Sequence, residues 1–593
     1  MTLEEVKSLS EAQLPELAES VRRKIIDSVA ANGGHLAASL GTVELTIALL
    51  RTFNPPEDKV LWDVGHQAYA WKILTGRGDG FGALRRHKGV SGFPNPAESP
   101  YDAFIAGHAG SALAAATGMA AARDRIGGGH VVAVIGDASL TNGESLEALN
   151  NCASLAERLI VVVNDNAMAI SKNVGGVARM LGRILSDVRY NRVKAAAERM
   201  GHRMRLTFLR SVYHHLEQIV KSFWLKNSLF ETLGLRYVGP VDGHDLKSLT
   251  SALMVAKEDK RPVLLHVVTT KGKGFAPAEL NPTVWHAVGP FDIKSALAGE
   301  QTEPKGRKSW SEVFGDALIE AARKDDKVCA VVAAMKDGTG LARFAREFPR
   351  RFFDVGICEE MAVTFAAGLA KSGMKPVVAL YSTFLQRSID QIQHDVCLQG
   401  LPVVFAIDRA GCVGADGFTH HGMYDIPLLK PLTGMAIKAP ACAEGLKESL
   451  DSALASGGPV AIRYPRGAAP SRADVSAGSD DGAPCSVRLL AVGDQVRKAR
   501  KVRELLASDG IDAKVVPVVS VKPLPEKVEG AKLTVSLENG VVCGGFGEGI
   551  GADLRFGWPD AAVCHGTVDE LEREHGFDAE SVAQAIRRRL ADS

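Results

Sequence analysis

Apolar, β-branched runs recur along the chain, each of strand length and each followed by a helix-like pattern. Examples are VVAVI at 131–135, LIVVV at 159–163, VVAL at 377–380 and VVFAI at 403–407. Strands that are apolar throughout and alternate with helices are typical of parallel sheets covered on both faces. We therefore predict an α/β protein built from three consecutive α/β domains with mostly parallel sheets.

Two polar stretches rich in Gly, Pro and Ser, at 296–309 and 467–484, have the composition of linkers. They predict domains over 1–298, 306–470 and 483–593. The basic segment from about 176 to 236 has a helical pattern and interrupts the first domain, so we interpret it as a helical insertion. Its charge suits either a nucleic-acid contact or a solvated helical face, and the solvated face is favoured.

The overall charge predicts neither a nucleic-acid nor a membrane partner, because 70 basic residues balance 69 acidic ones among 593. The apolar runs are far shorter than a membrane span, and the first twenty residues lack the core of a signal peptide. None of the nine cysteines forms a CxxC pair, and most lie in apolar runs. Buried thiols in a cytoplasmic enzyme are the expectation.

Asp137 ends the run VVAVIG and is followed at once by the small residues Ala138 and Ser139. One interpretation is a helix N-cap, since the next residues have a helical pattern. The other is a ligand site, because Asn166 follows the next strand along the chain and ligands bind beyond the carboxyl ends of parallel strands. A carboxylate and an amide oxygen suit Mg²⁺ whose remaining ligands are diphosphate oxygens and water.

Glu359 and Glu360 follow an apolar strand and precede a helix, which is also how an ordinary acidic helix start looks. However, Gly136-Asp137 with the later Asn resembles the diphosphate motif of thiamine diphosphate enzymes. Such enzymes need a carboxylate at N1′ of the aminopyrimidine, and a Glu in an apolar setting suits this task because burial raises its pKa. Phe384 is an aromatic residue placed to stack on the pyrimidine.

Motifs in the same order along essentially the whole chain resemble the 1-deoxy-D-xylulose-5-phosphate synthase family. They are GGHLAASLGTVELTIAL (33–49), WDVGHQAYAWKILTGR (62–77), VGPVDGHD (238–245), TTKGKGFAPAE (269–279), WHAVGPFD (285–292), GICEEMAVTFAAGLA (356–370), LYSTFLQRSIDQIQHDV (380–396), AIDRAGCVGADGFTHHG (406–422) and RYPRG (463–467).

The resemblance implies a transketolase-like homodimer that uses thiamine diphosphate and Mg²⁺. It implies the decarboxylative condensation of pyruvate with D-glyceraldehyde 3-phosphate to 1-deoxy-D-xylulose 5-phosphate and CO₂. This reaction begins the methylerythritol phosphate route to isoprenoids and also serves thiamine biosynthesis. The cofactor is expected between the first domain, which binds the diphosphate, and the second, which binds the pyrimidine.

The resemblance also implies roles for individual residues. The metal ligands would be Asp137, Asn166 and the backbone carbonyl of Met168. Cofactor-binding residues would be His66, Gly136, Asp137, Ala138, Ser139, Asn166, Met168, Ile170, Lys271, Glu359 and Phe384. Catalytic residues would be Glu359, His35, His66, His286, Asp416 and His420. The substrates would contact His35, Tyr381, Arg387, Arg409, Asp416, His420 and Arg466, with Arg409 and Arg466 on the acceptor phosphate.

Three positions depart from the family pattern. Ala138 replaces a Gly, Glu360 stands where a Gln is usual, and GHAGSA (107–112) lacks hydroxyls that relatives carry. A buried Glu360 would raise the pKa of its neighbour Glu359 and weaken activation of the cofactor. Two alternatives to the synthase are another thiamine diphosphate carboligase or transketolase, and a non-catalytic paralogue that only binds cofactor. The third domain has no catalytic motif, and we assign it to assembly and packing.

Overall fold

The structure, a computed structural model, describes residues 2–166, 175–177, 180, 229–300, 306–476, 484–525 and 530–592. The chain divides into two compact units, one of residues 1–82 and 93–299, the other of 83–92 and 300–593. The short segment 83–92 therefore packs with the second unit although it lies within the first half of the sequence.

The first unit contains a five-stranded sheet that is parallel throughout. Its strands are β1 (Lys59–Trp62), β2 (Val131–Gly136), β3 (Leu159–Asp165), β4 (Arg236–Asp242) and β5 (Val263–Val268), in the order β1-β2-β3-β5-β4. The apolar side chains of β2 and β3 are buried, as expected for strands covered by helices on both faces.

The second unit contains two sheets. The larger has the order β14-β10-β11-β9-β8-β6-β7 and is parallel except for the antiparallel pair β10 and β14. The smaller has the order β13-β12-β15-β16 and is parallel. The strands are β6 (Val328–Val332), β7 (Phe352–Asp354), β8 (Lys375–Tyr381), β9 (Val404–Asp408), β10 (Ala436–Lys438), β11 (Val460–Arg463), β12 (Cys485–Val492), β13 (Ala513–Val518), β14 (Ser520–Lys522), β15 (Ala531–Val541) and β16 (Leu554–Trp558).

Helices connect the strands in both units. Those of the first unit are Leu3–Ser8, Leu14–Asn32, Ala37–Gly41, Val43–Thr52, Tyr69–Lys72, Ser111–Ile126, Gly143–Leu155, Leu229–Thr232, Leu246–Glu258, Ala276–Leu280 and Ile293–Leu297. Those of the second are Trp310–Lys324, Ala342–Glu347, Glu359–Lys371, Ser382–Leu385, Ile389–Gln391, Asp425–Leu429, Ala443–Leu454, Arg472–Val475, Val496–Ala507, Phe546–Gly549, Val568–Glu574 and Ala579–Ala591. Short 3₁₀ or π turns are Glu11–Gln13, Ile73–Arg77, Gly78–Ala83, Ser139–Thr141, Gln386–Ser388, Ile392–Cys397 and Gly493–Gln495.

The predicted α/β class with mostly parallel sheets is confirmed. The three domain boundaries stay a prediction, and the helical insertion predicted near 176–236 falls largely outside the described residues. All nine cysteines are described, none is in a disulfide, and six are buried. Within the described ranges, every helix is too short or too polar to cross a membrane.

A buried charge cluster stabilises the chain just after His66. Asp102 accepts hydrogen bonds from Trp71 Nε1 at 3.1 Å, from Arg77 Nη2 at 2.9 Å and from the backbone N–H of Asn95 at 2.8 Å. Asp102 is 2% exposed. Because the Nε1 of the fully buried Trp71 would otherwise lack an acceptor, the carboxylate stabilises the short helix Tyr69–Lys72 against the segment that follows Pro94.

We predict that Asp102→Ala lowers the free energy of unfolding by about 3 kcal/mol, since it breaks a buried ion pair with Arg77 and leaves Trp71 Nε1 without its acceptor. Glu98 still pairs with Arg77 at 3.1 Å, which limits the loss. Asp79→Ala is the control, because Asp79 is a fully exposed carboxylate whose contact with Lys24 spans 3.8 Å, and its loss should change stability by less than about 0.5 kcal/mol. Thermal unfolding of both variants measures the difference. Equal melting temperatures would contradict a stabilising role for Asp102.

Candidate active site

The metal-ligand candidates Asp137 and Asn166 follow neighbouring parallel strands. Gly136 at the end of β2 pairs with Asn164 of β3, and the Asp137 N–H donates to the Asn164 carbonyl at 3.2 Å. Asp137 and Asn166 thus leave the sheet at the same edge. The other two candidates on this loop, Met168 and Ile170, lie outside the described residues. Among the described residues, no group of three or more His, Cys, Asp or Glu could bind a metal.

Asp137 is not the cap of the helix that follows it. The helix begins at Gly143, and its N-cap is Asn142, whose side chain accepts the N–H of Glu144 at 3.1 Å. The N-cap interpretation of Asp137 is therefore wrong. Its carboxylate is 3% exposed and accepts the N–H of Ala138 at 2.9 Å. Burial, followed by the nearby carboxylate of Asp165, raises the pKa of Asp137 well above its usual range.

Lys271 brings a positive charge to this edge of the sheet. It follows β5, is 6% exposed, and is close enough to Asp137 for the two charges to interact. Burial lowers the pKa of Lys271 to about 8, while Asp137 opposes the change. A buried cation at this edge of the sheet suits an anionic ligand such as a diphosphate. The small residues Gly136 and Ser139 lie close to Asp137 in the sequence.

The three predicted histidines of the first unit lie together. The ring centroids of His66 and His286 are 5.2 Å apart. The ring centroid of His35 lies 6.0 Å from that of His66 and 5.9 Å from that of His286. Nδ1 of His286 is buried, and burial with the neighbouring charges of Lys271, His66 and His35 lowers the pKa of His286 well below its usual range. These side chains come from distant parts of the sequence, and the structure gathers them.

A buried hydrogen-bond chain behind Asp137 escaped the sequence analysis. His266, in the middle of β5, bonds through Nε2 to Asp165 at 2.9 Å and through Nδ1 to the hydroxyl of Tyr237 at 2.7 Å. His266 is fully buried. A lone histidine within an apolar strand is a usable signal, because a buried imidazole needs polar partners at both nitrogens. These two hydrogen bonds of His266 hold the Asp165 side chain beside Asp137.

Glu359, in the second unit, is a buried carboxyl at the carboxyl end of β7 and is the first residue of the helix Glu359–Lys371. It is 4% exposed, and its Oε2 is buried with no hydrogen-bond partner among the described residues. Burial raises the pKa of Glu359 to about 7, the charge of Arg387 lowers it in part, and the charge of Glu360 makes the smallest contribution. Glu360 is only partly buried, so it perturbs its neighbour little.

Residues at the carboxyl ends of β8 and β9 form an aromatic and cationic group. The Arg409 guanidinium carbon lies 4.1 Å from the centroid of the Tyr381 ring. Phe384 stacks on Tyr381 with centroids 5.8 Å apart, and its ring meets the His420 ring edge-on at 5.8 Å. Arg409 has a positive φ of 57°, a strained conformation that places it at the start of a tight loop. The structure thus places Phe384 among the predicted substrate residues.

Asp416 joins two arginines, one of which the sequence analysis missed. Its Oδ2 accepts from Arg466 Nη1 at 3.3 Å, and its Oδ1 accepts from Arg85. Arg85 lies on the segment 83–92 that packs with the second unit. No local pattern marks Arg85, since arginine is common on surfaces and its partner is far away in sequence. Together with Arg409, these guanidiniums make this part of the second unit suited to a phosphate.

Three family models match consecutive parts of the chain. Residues 1–269 match the family model described as 1-deoxy-D-xylulose-5-phosphate synthase. Residues 307–471 match "Transketolase, pyrimidine binding domain", and residues 483–582 match "Transketolase, C-terminal domain".

Curated relatives match over nearly the full length. The 1-deoxy-D-xylulose-5-phosphate synthase of Oleidesulfovibrio alaskensis is 46% identical over 99% of this chain and 96% of its own, and that of Pelotomaculum thermopropionicum is 45% identical over the same shares. Among solved structures, the transketolase from Leishmania mexicana covers 98% of this chain and 97% of its own at 16% identity with a TM-score of 0.43, a likeness too weak to support a conclusion.

The relatives confirm the family predicted from the motifs and the prediction that the chain is an enzyme. With identities of 45% and 46% across nearly its whole length, the chain belongs to the 1-deoxy-D-xylulose-5-phosphate synthase family of transketolase-type transferases.

Proposed function

We propose that the chain catalyses the thiamine diphosphate- and Mg²⁺-dependent condensation of pyruvate with D-glyceraldehyde 3-phosphate, giving 1-deoxy-D-xylulose 5-phosphate and CO₂. The single observation that carries the proposal, beside the family, is the buried Oε2 of Glu359, which has no hydrogen-bond partner among the described residues. Leaving a buried polar atom unpaired costs about 1–3 kcal/mol. Such an atom in an active site indicates a ligand group that bonds to it.

The residues present fit the cofactor. Asp137 and Asn166 offer the hard oxygen ligands that Mg²⁺ prefers, and Lys271 offers a buried cation for the diphosphate. Glu359 would hold N1′ of the aminopyrimidine. When bound, thiamine diphosphate supplies the nucleophilic carbon and the electron sink that decarboxylation of a 2-oxo acid requires.

The protein's own groups would manage protons and charge. A Glu359 carboxyl with a pKa of about 7 carries a proton on part of the molecules at neutral pH, so it can donate to a ring nitrogen. His286 stays neutral because its pKa is well below the usual range, which lets its imidazole exchange hydrogen bonds without adding charge. Arg409 and Arg466 would bind the acceptor phosphate. The proposal includes the homodimer that the family resemblance implies.

The direct test is to incubate the protein with thiamine diphosphate, Mg²⁺, pyruvate and D-glyceraldehyde 3-phosphate and to identify the products. The proposal requires CO₂ and a five-carbon 1-deoxyketose phosphate. A product formed only when a ketose phosphate replaces pyruvate would indicate a transketolase. No turnover with any donor, together with tight cofactor binding, would indicate a non-catalytic relative.

We predict that Asp137→Ala abolishes Mg²⁺-dependent binding of thiamine diphosphate while the protein stays folded, because the metal loses a charged ligand. Asn142→Ala is the matched control: it removes the actual helix cap and should cost about 1 kcal/mol of stability without loss of the cofactor. Calorimetric titration of both variants gives the answer. Unchanged cofactor affinity in Asp137→Ala would exclude the ligand role.

We predict two separate effects of Glu359→Gln. Cofactor affinity should persist, since the diphosphate residues are untouched, whereas turnover should be largely lost. Glu360→Gln is the control and should have a mild effect, because Glu360 is partly exposed. If Glu360→Gln inactivates the enzyme and Glu359→Gln does not, the assignment is wrong by one residue.

The same substitution should change how stability depends on pH. The pKa of Glu359 rises from 4.5 to about 7 on folding, so between these values the folded state holds a proton that the unfolded state has lost. Stability from this group is therefore present below pH 4.5 and is lost as the pH rises to 7. Glu359→Gln should therefore be more stable than the wild type at pH 8, by roughly 3 kcal/mol in the free energy of unfolding, and should have about the same stability at pH 4.

We predict that Arg409→Ala lowers kcat/KM for D-glyceraldehyde 3-phosphate by about one to two decades, since a hydrogen bond to a charged group contributes roughly 1.5–3 kcal/mol. The kcat/KM for unphosphorylated glyceraldehyde should fall far less. Arg466→Ala should also lower kcat/KM for the phosphorylated acceptor, and the loss of the Arg466 contact with Asp416 should lower it further. Arg472→Ala, at an exposed ion pair with Glu448, is the control. Equal losses with both acceptors would mean that Arg409 has a structural role only.

A further inference from the structure

The loop that carries Asp416 and His420 is closed at its base. Gly411 donates its N–H to the Gly422 carbonyl at 2.7 Å, and Gly422 donates to the Gly411 carbonyl at 2.8 Å. The residues between them form a compact loop whose ends meet.

The C-terminal part of the chain contacts both ends of this loop. Oδ1 of Asn539, in β15, accepts the N–H of Cys412 at 3.0 Å. At the other end, Nδ1 of His421 accepts the N–H of Val413 at 3.2 Å, so the proton of this neutral imidazole lies on Nε2. Nε2 donates it to the carbonyl of Cys564 at 3.1 Å. His421 is 2% exposed, so water competes little for these bonds.

His565 contacts the two segments whose charges meet at Asp416. Its Nε2 donates to the carbonyl of Gly89 at 3.0 Å. Its Cβ lies 3.2 Å from where a Cβ on Gly417 would be, and the carbonyl oxygen of the next residue, Gly566, lies 3.0 Å from where a Cβ on Gly414 would be. The glycines of the Asp416 loop therefore allow the backbone at His565 to approach closely.

The Gly89 contact controls where Arg85 lies. The N–H of Arg85 donates to the Val90 carbonyl at 2.7 Å, and the N–H of Gly89 donates to the Arg86 carbonyl at 2.8 Å. These bonds make a tight turn in which Arg85 has a positive φ of 61°. Holding Gly89 in place consequently holds Arg85, whose guanidinium bonds to Asp416.

We propose that His565 is a positioning residue that aligns Arg85 with Asp416, so that the C-terminal region sets the geometry of the acceptor site. This inference rests on the proposed function for the use of that site. It adds a role in positioning to the assembly and packing that we predict for the third domain. His565 acts on Asp416 through its contacts with Gly89 and Gly417.

The first test measures backbone motion and needs no activity. Hydrogen–deuterium exchange should become about twofold to tenfold faster in His565→Ala at residues 83–92 and 411–422, the range expected when one net hydrogen bond is lost. His565→Gln should restore most of the protection, because the glutamine amide can donate at nearly the same place. Glu580→Ala, at an exposed pair with Lys501 in the same region, is the control. Unchanged exchange in His565→Ala would overturn the proposal whatever the enzyme's activity.

The second test is kinetic and separates positioning from general damage. His565→Ala should raise KM for D-glyceraldehyde 3-phosphate by about twofold to tenfold with kcat and KM for pyruvate little changed. In an Arg85→Ala background, His565→Ala should add almost nothing, since both substitutions remove the same alignment. Equal losses with both substrates, or additive losses in the double variant, would overturn the proposal. A wild type without this activity would reject the proposed function while leaving the exchange test decisive.

Discussion

Burial of the Glu359 carboxyl is the constraint on which the proposed active site depends. Two effects oppose each other there. The N-terminus of the helix Glu359–Lys371 favours a negative charge by about 0.3–1 kcal/mol, whereas the rise of the pKa from 4.5 to about 7 corresponds to roughly 3 kcal/mol in favour of the protonated acid. Burial therefore outweighs the helix dipole. The carboxyl keeps its proton into the neutral range, as a group must if it is to donate to a ring nitrogen.

The parallel topology explains why polar groups collect where they do. In the first unit, Asp137 and Lys271 follow β2 and β5, and in the second, Glu359 and Arg409 follow β7 and β9. Strands of one direction end at one edge of their sheet, so residues far apart in sequence meet there without distorting the apolar core. The same edge tolerates strain, as the positive φ of Arg409 illustrates.

The class of fold and the strands β2, β3, β8 and β9 could be predicted from the sequence, because each contains an apolar, β-branched run of strand length. The short strands β10 and β14 could not be predicted, since three residues carry no periodicity and pairing with neighbours alone defines them.

Among individual residues, Asn142 rather than Asp137 caps the following helix, a difference of five positions that local propensity does not resolve. Arg85 and His565 stayed hidden because their partners are hundreds of residues away in sequence. Motif resemblance supplied the residues proposed to act on ligands, and the contacts between distant segments supplied those proposed to hold them in place.

The protonation state of Glu359 can be measured directly. Infrared difference spectra between the wild type and Glu359→Gln, recorded without cofactor across pH 4 to 9, isolate the band of this one protonated carboxyl. If burial holds the proton, the band is present at pH 5 and disappears with a midpoint near the pKa of about 7. A midpoint near 4.5, the ordinary pKa of a glutamic acid, would show that burial does not hold the proton on Glu359.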